Sequence, residues 1–423
     1  MMNVLGFLKN ILHRGLGSLS GRVARLFYRP RKPAFPLADR LLADAFRLGQ
    51  IPSPTAHEKD RAVFVAARLR SLELPYTVDE AGNLLVQLQS LREEPEDISP
   101  SPLLVFTRLV SERWNSLESL GKLDLQYARG AGLADALGPA ALLSLAEAHA
   151  SGRLSLNRDL FLFFSAIHFD DPYGDAFRLF TSDPRRRPSA AIGVQGFMLG
   201  FLTSHTLGSY RVEITLAEEG RGGKDSNAAV NALTGTAGKL GETAGSFGDA
   251  LSMYIRRIEA LSAFSRTPSE GVLELDLESA DKALLEDALE KIRKTVEGAG
   301  EPDTGDSRVK GLFRVVSFIP PGDPSVSEGL NTLLLDVMKE LRIKPEEEAK
   351  PDPSSFLSAL GIPALSVGIA SGREGLSYDT VEVASIEKGR QLLERLVTLL
   401  GTDPPGRAVP GKRAALLRRK FRG

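Results

Sequence analysis

The chain has 423 residues, enough for one large or two moderate domains with a sizeable core, and its 42% hydrophobic and 25% charged content is ordinary for a globular protein. No apolar run reaches the roughly 18 residues of a membrane-crossing helix, and the absence of cysteine removes disulfides, thiolate nucleophiles and Cys-ligated zinc, iron–sulfur or haem sites. The formal net charge of −1 hides a polarity: residues 1–32 and 407–423 each hold seven Lys/Arg and no acid, leaving 39 basic against 54 acidic residues between them.

The first predicted element is an arm, residues 1–37. Val4, Phe7, Leu8, Ile11, Leu12, Leu19, Val23, Leu26 and Phe27 recur there at helical spacing among basic residues, the pattern of an amphipathic helix. Lys9 and Arg14 interrupt the apolar stretch, unlike a secretory signal, and Gly6, Gly15, Gly17 and Gly21 would each weaken a helix by about 1 kcal/mol. A basic tail, 406–423, repeats the idea with Ala414, Leu416, Leu417 and Phe421. Each Lys or Arg beside an anionic bilayer contributes about 1 kcal/mol. Two expectations follow: the arms hold an otherwise cytoplasmic protein at a membrane surface, or the first packs on the body and the second is solvated. Nucleic acid is a poor partner, because no aromatic-interleaved basic motif accompanies the arms.

Pro30, Pro33 and Pro36 close the arm. Apolar periodicity then predicts helices over 37–48 and 58–72 and a strand–turn–strand unit over 76–86 about Ala81-Gly82-Asn83. A buried strand at 103–106, a helix over 136–150 and a strand at 159–164 follow. Helices alternating with apolar strands give an α/β sheet covered on both faces. From residue 208 the order becomes strand 210–216, helix 227–240, strands 254–260 and 271–277, helix 281–296 and strand 312–319. That is a split βαβ order, and it reads as an inserted α+β domain over 208–321. Helices over 327–341, 354–360 and 385–400, with a strand at 363–367, return the chain to the first sheet, so the first domain comprises 38–207 and 322–405.

Five stretches carry a resemblance: Ile51-Pro52-Ser53-Pro54 with His57-Glu58; Asp79-Glu80-Ala81-Gly82-Asn83; Gly130-Ala131-Gly132-Leu133-Ala134-Asp135; Gly361-Ile362-Pro363-Ala364; and Val381-Glu382-Val383-Ala384-Ser385-Ile386-Glu387-Lys388-Gly389. In this order they resemble the dinuclear-zinc metallopeptidases and deacylases that include peptidase T, succinyl-diaminopimelate desuccinylase and aminoacylase, over residues 38–402. The resemblance implies a three-layer αβα zinc-exopeptidase sheet with a βαββαβ lid, and a homodimer formed through 208–321. It also implies two zinc ions held by carboxylates and imidazoles around a shared water, whose proton a glutamate removes.

Most side chains that this chemistry needs are missing. Where the resemblance places a His-x-Asp after the strand at 103–106, the chain has Thr107-Arg108-Leu109-Val110, and neither Arg108 nor Val110 has a lone pair to offer. The bridging aspartate is retained as Asp135. The general-base and ligand glutamates fall on His168 and Phe169, a further acid on Gln195 and a terminal histidine near Gly375, with no histidine after His205. The reading is a degenerate metallopeptidase: a binding or scaffold protein with the metal site dismantled and no cofactor. The alternative is a hydrolase of peptide or N-acyl amino-acid bonds with a rewired zinc site drawn from Asp135, His168, Asp170 and Asp171.

The remaining candidates have plain structural readings. Asp135 is expected to cap the 136–150 helix, or to pair with Arg108 in place of a metal. His57 with Glu58 reads as a cap or surface pair, and His149 as a complement to a helix's negative pole. Trp114 reads as packing or as a cleft wall. Ser354, Ser355 and Ser377 have no histidine placed to activate them, and the glycines at 220, 222 and 223 are too few to cradle phosphate.

Overall fold

The computed structural model describes residues 36–53, 58–90, 101–111, 121–124, 126–166, 177–202, 206–219, 227–261, 268–298, 308–375 and 377–402. The expectations for the arm 1–35, the tail beyond 402, His57, Trp114, His168, Phe169, Asp170, Asp171 and the glycines of 220–223 lie outside the described residues. No helix among the described residues is long and apolar enough to cross a membrane.

Helix α1 (Pro36–Gly49) buries Leu41, Leu42, Ala45 and Leu48 at helical spacing, and α2 (Lys59–Ser71) buries Val65 and Leu69. Glu58, just before α2, makes no side-chain cap and is buried, which corrects the surface reading. Strands β1 (Tyr76–Val78) and β2 (Leu84–Leu88) form the expected hairpin. Asp79 closes its turn by accepting the amides of Ala81 and Asn83.

Strand β3 (Leu103–Arg108) is followed by two short strands, β4 (Lys122–Leu123) and β5 (Tyr127–Gly130), then by α3 (Leu133–Ala150) and β6 (Leu160–Ser165). On β3, Leu103 and Val105 join one apolar core while Leu104 and Phe106 join another. Both faces of the strand are covered, as its uninterrupted apolar run requires. Strand β7 (Ala190–Gln195) and the short β8 (Phe201–Leu202) lead into a second sheet.

That second unit runs β9 (Thr206–Glu219), α4 (Ala228–Gly245), β10 (Ser252–Leu261), β11 (Glu270–Ser279), α5 (Lys282–Gly298) and β12 (Arg308–Ile319), the order read from the sequence. Its strands lie in the order β10-β11-β9-β12, all antiparallel, with α4 and α5 on one face. Val212, Ile214, Leu216, Leu273, Leu275 and Leu277 meet Leu233, Leu285 and Ile292 of the helices in a core of their own.

The chain returns through α6 (Glu328–Glu340), the short β13 (Glu346–Glu347) and β14 (Lys350–Pro351), β15 (Ala364–Gly368), β16 (Gly372–Arg373), β17 (Asp379–Glu382) and α7 (Val383–Thr402). The expected helix over 354–360 is a single turn, Ser355–Ser358. The Ser358 hydroxyl bonds back to the Ser355 carbonyl, and Gly361 turns to a φ of 75°. The main sheet is ordered β1-β2-β6-β3-β7-β15, with β6, β3, β7 and β15 parallel. A separate small sheet, β16-β17-β5-β4, lies across the start of α3.

Candidate functional site

In an open sheet with parallel strands, ligands bind beyond the carboxyl ends of the strands. Here those ends are Arg108 on β3, Gln195 on β7 and Gly368 on β15. A cleft of about 270 Å³ opens there. Its polar lining is Thr107, Arg108, Asp135, Gln195, Ser366 and Glu374, and its apolar lining includes Phe106, Phe197, Met198 and Ile319. Ile319 ends β12, so both sheets contribute to the wall.

Asp135 sits at the centre. Helix α3 starts three residues earlier than its apolar pattern suggests, behind Gly132 in the left-handed region at φ 61°. A Cβ at Gly132 would also press on the Gly49 carbonyl, so the turn requires glycine. Asp135 therefore lies inside the first helical turn and is not its cap. The acid at the helix start is Asp379, fully buried on β17, whose carboxylate accepts the Ala134 amide at 3.1 Å. The positive helix terminus still favours the Asp135 charge.

Both Asp135 oxygens are engaged: Arg108 Nη2 donates to Oδ1 at 3.0 Å and Ser111 Oγ to Oδ2 at 2.8 Å. The ion pair expected from the sequence is thus formed, with the Arg108 side chain 46% exposed and that of Asp135 14%. Behind it lies a second guanidinium that sequence reading missed. Arg61 is buried and donates to the carbonyls of Ile51 and Leu109. Burial pulls its pKa down to about 10; Asp135 opposes that shift and Arg108 adds to it. Arg61 stays charged at neutral pH, so Asp135 faces two cations.

Gln195, where an acid was expected, donates from Nε2 to Asp352 Oδ2 at 3.2 Å. Asp352 is fully buried and also takes the Ser366 hydroxyl at 2.8 Å and the Ser354 amide at 2.8 Å. This acid was also missed, because it arrives from the loop after β14 and not from a strand end. Val110 is buried, and Gly375 donates its amide to Asp379 at 3.4 Å. Ser354 and Ser355 are buried in the turn beside Asp352, and Ser377 is exposed. His149 lies on the far end of α3, where burial lowers its pKa, so it does not supply the positive charge expected at that terminus.

A pair of divalent metals does not fit this lining. Each Asp135 oxygen already accepts a hydrogen bond, and where the resemblance implies ligands the chain has the guanidinium of Arg108, the amide of Gln195 and Gly375. Among the described residues no three His, Asp or Glu side chains converge.

The architecture has solved counterparts. A tripeptidase from Staphylococcus aureus superposes with a TM-score of 0.64 at 13% identity, covering 86% of this chain and 98% of its own. Human carnosine dipeptidase 1 gives 0.65 at 9% identity, covering 86% and 97%. A dinuclear metal-binding peptidase of the M20 family from Bacillus subtilis gives 0.56 at 14%, covering 86% and 99%. No family model and no curated protein sequence matches the chain. The chain has the fold of the M20 peptidases.

Proposed function

We propose that this chain is a non-catalytic binding or scaffold protein on the M20 peptidase fold, in which an ion pair replaces the metal pair. The observation that carries this reading is the Arg108–Asp135 contact at 3.0 Å, closed by Ser111 and backed by Arg61. The bridging position of the cleft is thereby neutralised by fixed cations. The cleft keeps its volume and mixed lining, which suits it to hold a ligand without turning it over.

The same reading includes a homodimer through the second sheet. Three features of β10 and α4 support it. Strand β10 is the free edge of its sheet, and its Ile255 and Ile258 are exposed. On α4, Gly235, Gly238 and Gly241 have open space over their Cα atoms, leaving a smooth face for close approach.

The test is metal content by inductively coupled plasma mass spectrometry after exposure to excess zinc or manganese and desalting, with Asp135→Ala as control. Retention below about a tenth of an equivalent is expected, in keeping with a site short of donors. One equivalent or more, lost in D135A, would overturn the reading in favour of a hydrolase with a rewired metal site.

A further inference from the structure

The small sheet β16-β17-β5-β4 turns Ala128, Gly130, Asp379 and Val381 inward, and all are buried. Its outer face is unlike the rest of an acidic body. The register aligns Lys122 with Arg129, Arg129 with Thr380 and Thr380 with Arg373, so three cations and one hydroxyl form a single row across four strands. Neighbours in such a row stand about 5 Å apart. An anion seated over Thr380 is therefore within reach of Arg129 on one side and Arg373 on the other, with Lys122 one position further.

The groups differ in how far they are already committed. Lys122 and Arg373 are exposed and, among the described residues, neither has an ion-pair partner. Arg129 is oriented beforehand: its Nη1 donates to Asp124 Oδ2 at 2.8 Å and its guanidinium lies 5.6 Å from the centre of the Tyr127 ring. Its other donors remain available. The Asp124 carboxyl is held at about 2, chiefly by the backbone amides of Tyr127 and Gln126, so it stays ionised and keeps Arg129 in place. Glu382 stands two residues beyond Thr380, about 7 Å along the strand and outside the basic row.

A groove of about 570 Å³ lies over Arg129, Thr380 and Arg373, with Tyr127 and Tyr378 at its sides, 40% and 48% exposed, and Glu382 at its far end. Tyrosine rings around clustered cations are the composition of a surface that lies at a lipid–water interface. We propose that this face binds the phosphate of an anionic lipid headgroup between Arg129 and Arg373, with Tyr127 and Tyr378 against the bilayer surface. The site belongs to the folded body and shares no lining residue with the cleft.

Vesicle flotation of the full chain tests this, using phosphatidylcholine vesicles with and without phosphatidic acid. The double variant Lys122→Gln with Arg373→Gln changes two exposed side chains with no ion-pair partner among the described residues. The charge-matched control, Lys282→Gln with Lys294→Gln, lies on exposed positions of α5. The expected result is phosphatidic-acid-dependent binding, weakened about fivefold for each cation removed from the row and unchanged in the control. Release of the bound protein by soluble glycerol phosphate would support the headgroup phosphate as the recognised group. Equal weakening in both double variants, or no gain from phosphatidic acid, would overturn the proposal. Binding of glycerol phosphate without any vesicle binding would overturn the lipid as its source.

Discussion

Asp135 is bound by what surrounds it, and the two members of its ion pair are not equivalent. Removing Asp135 leaves the buried Arg61 without the carboxylate that favours its charge and Ser111 without an acceptor, whereas removing Arg108 leaves Asp135 still held by Ser111 and still facing Arg61. D135A is therefore expected to lower unfolding stability by about 1–3 kcal/mol, and R108A by about 1 kcal/mol or less, because its guanidinium is nearly half exposed. Urea denaturation of the two variants checks the order; equal losses would contradict it. His149 offers a second check. Burial lowers its pKa below the ordinary 6.5, so the unfolded chain takes up a proton before the folded one. Its contribution to stability is complete above about pH 6.5 and is lost as pH falls through that value toward the lower folded pKa. In His149→Gln the slope of stability against pH below 6.5 should be shallower, measured by urea midpoints across that range.

The elements show where local pattern is enough. Helices α1, α2, α5, α6 and α7 and strands β2, β3, β6, β9, β11 and β12 follow apolar spacing, because burial of one stripe or of alternate residues is what makes them stable. The two-residue β4 and β16 and the four-residue β5 and β17 carry no such signal. They exist because each supplies hydrogen bonds to the next, and the central pair, β5 with β17, joins two local hairpins that lie roughly 250 residues apart in the chain. The start of α3 belongs with them, since its capping acid, Asp379, is 245 residues away. Helix α4 tests the dimer proposal at this scale. Gly238 has nothing within 4 Å of an added Cβ, so Gly238→Ala should stabilise the monomer by about 0.5–1 kcal/mol through helix propensity. If that face packs against a second copy, the same change should weaken association, seen as a rise in monomer fraction by sedimentation velocity. A tighter or unaltered dimer would remove α4 from the interface.

Across the whole molecule, two sheets with separate apolar cores share one cleft. Leu277 is fully buried in the second core, and Leu277→Ala should cost about 2–5 kcal/mol. Hydrogen exchange should speed up in β9, β11 and β12 while β3, β6 and β7 keep their protection, because no core residue is shared. Loss of protection in both sheets would show that they unfold as one. The class of fold, the order of elements and, as one of two expectations for Asp135, its pairing with Arg108 were legible in the sequence. Apolar periodicity and side-chain chemistry are local properties of the chain. The buried Arg61 behind that pair, Asp352 beneath Gln195 and the cationic row of the small sheet were not legible. Each joins residues from separate stretches of chain, and which charges face one another is settled only when the strands take their register and the helices pack.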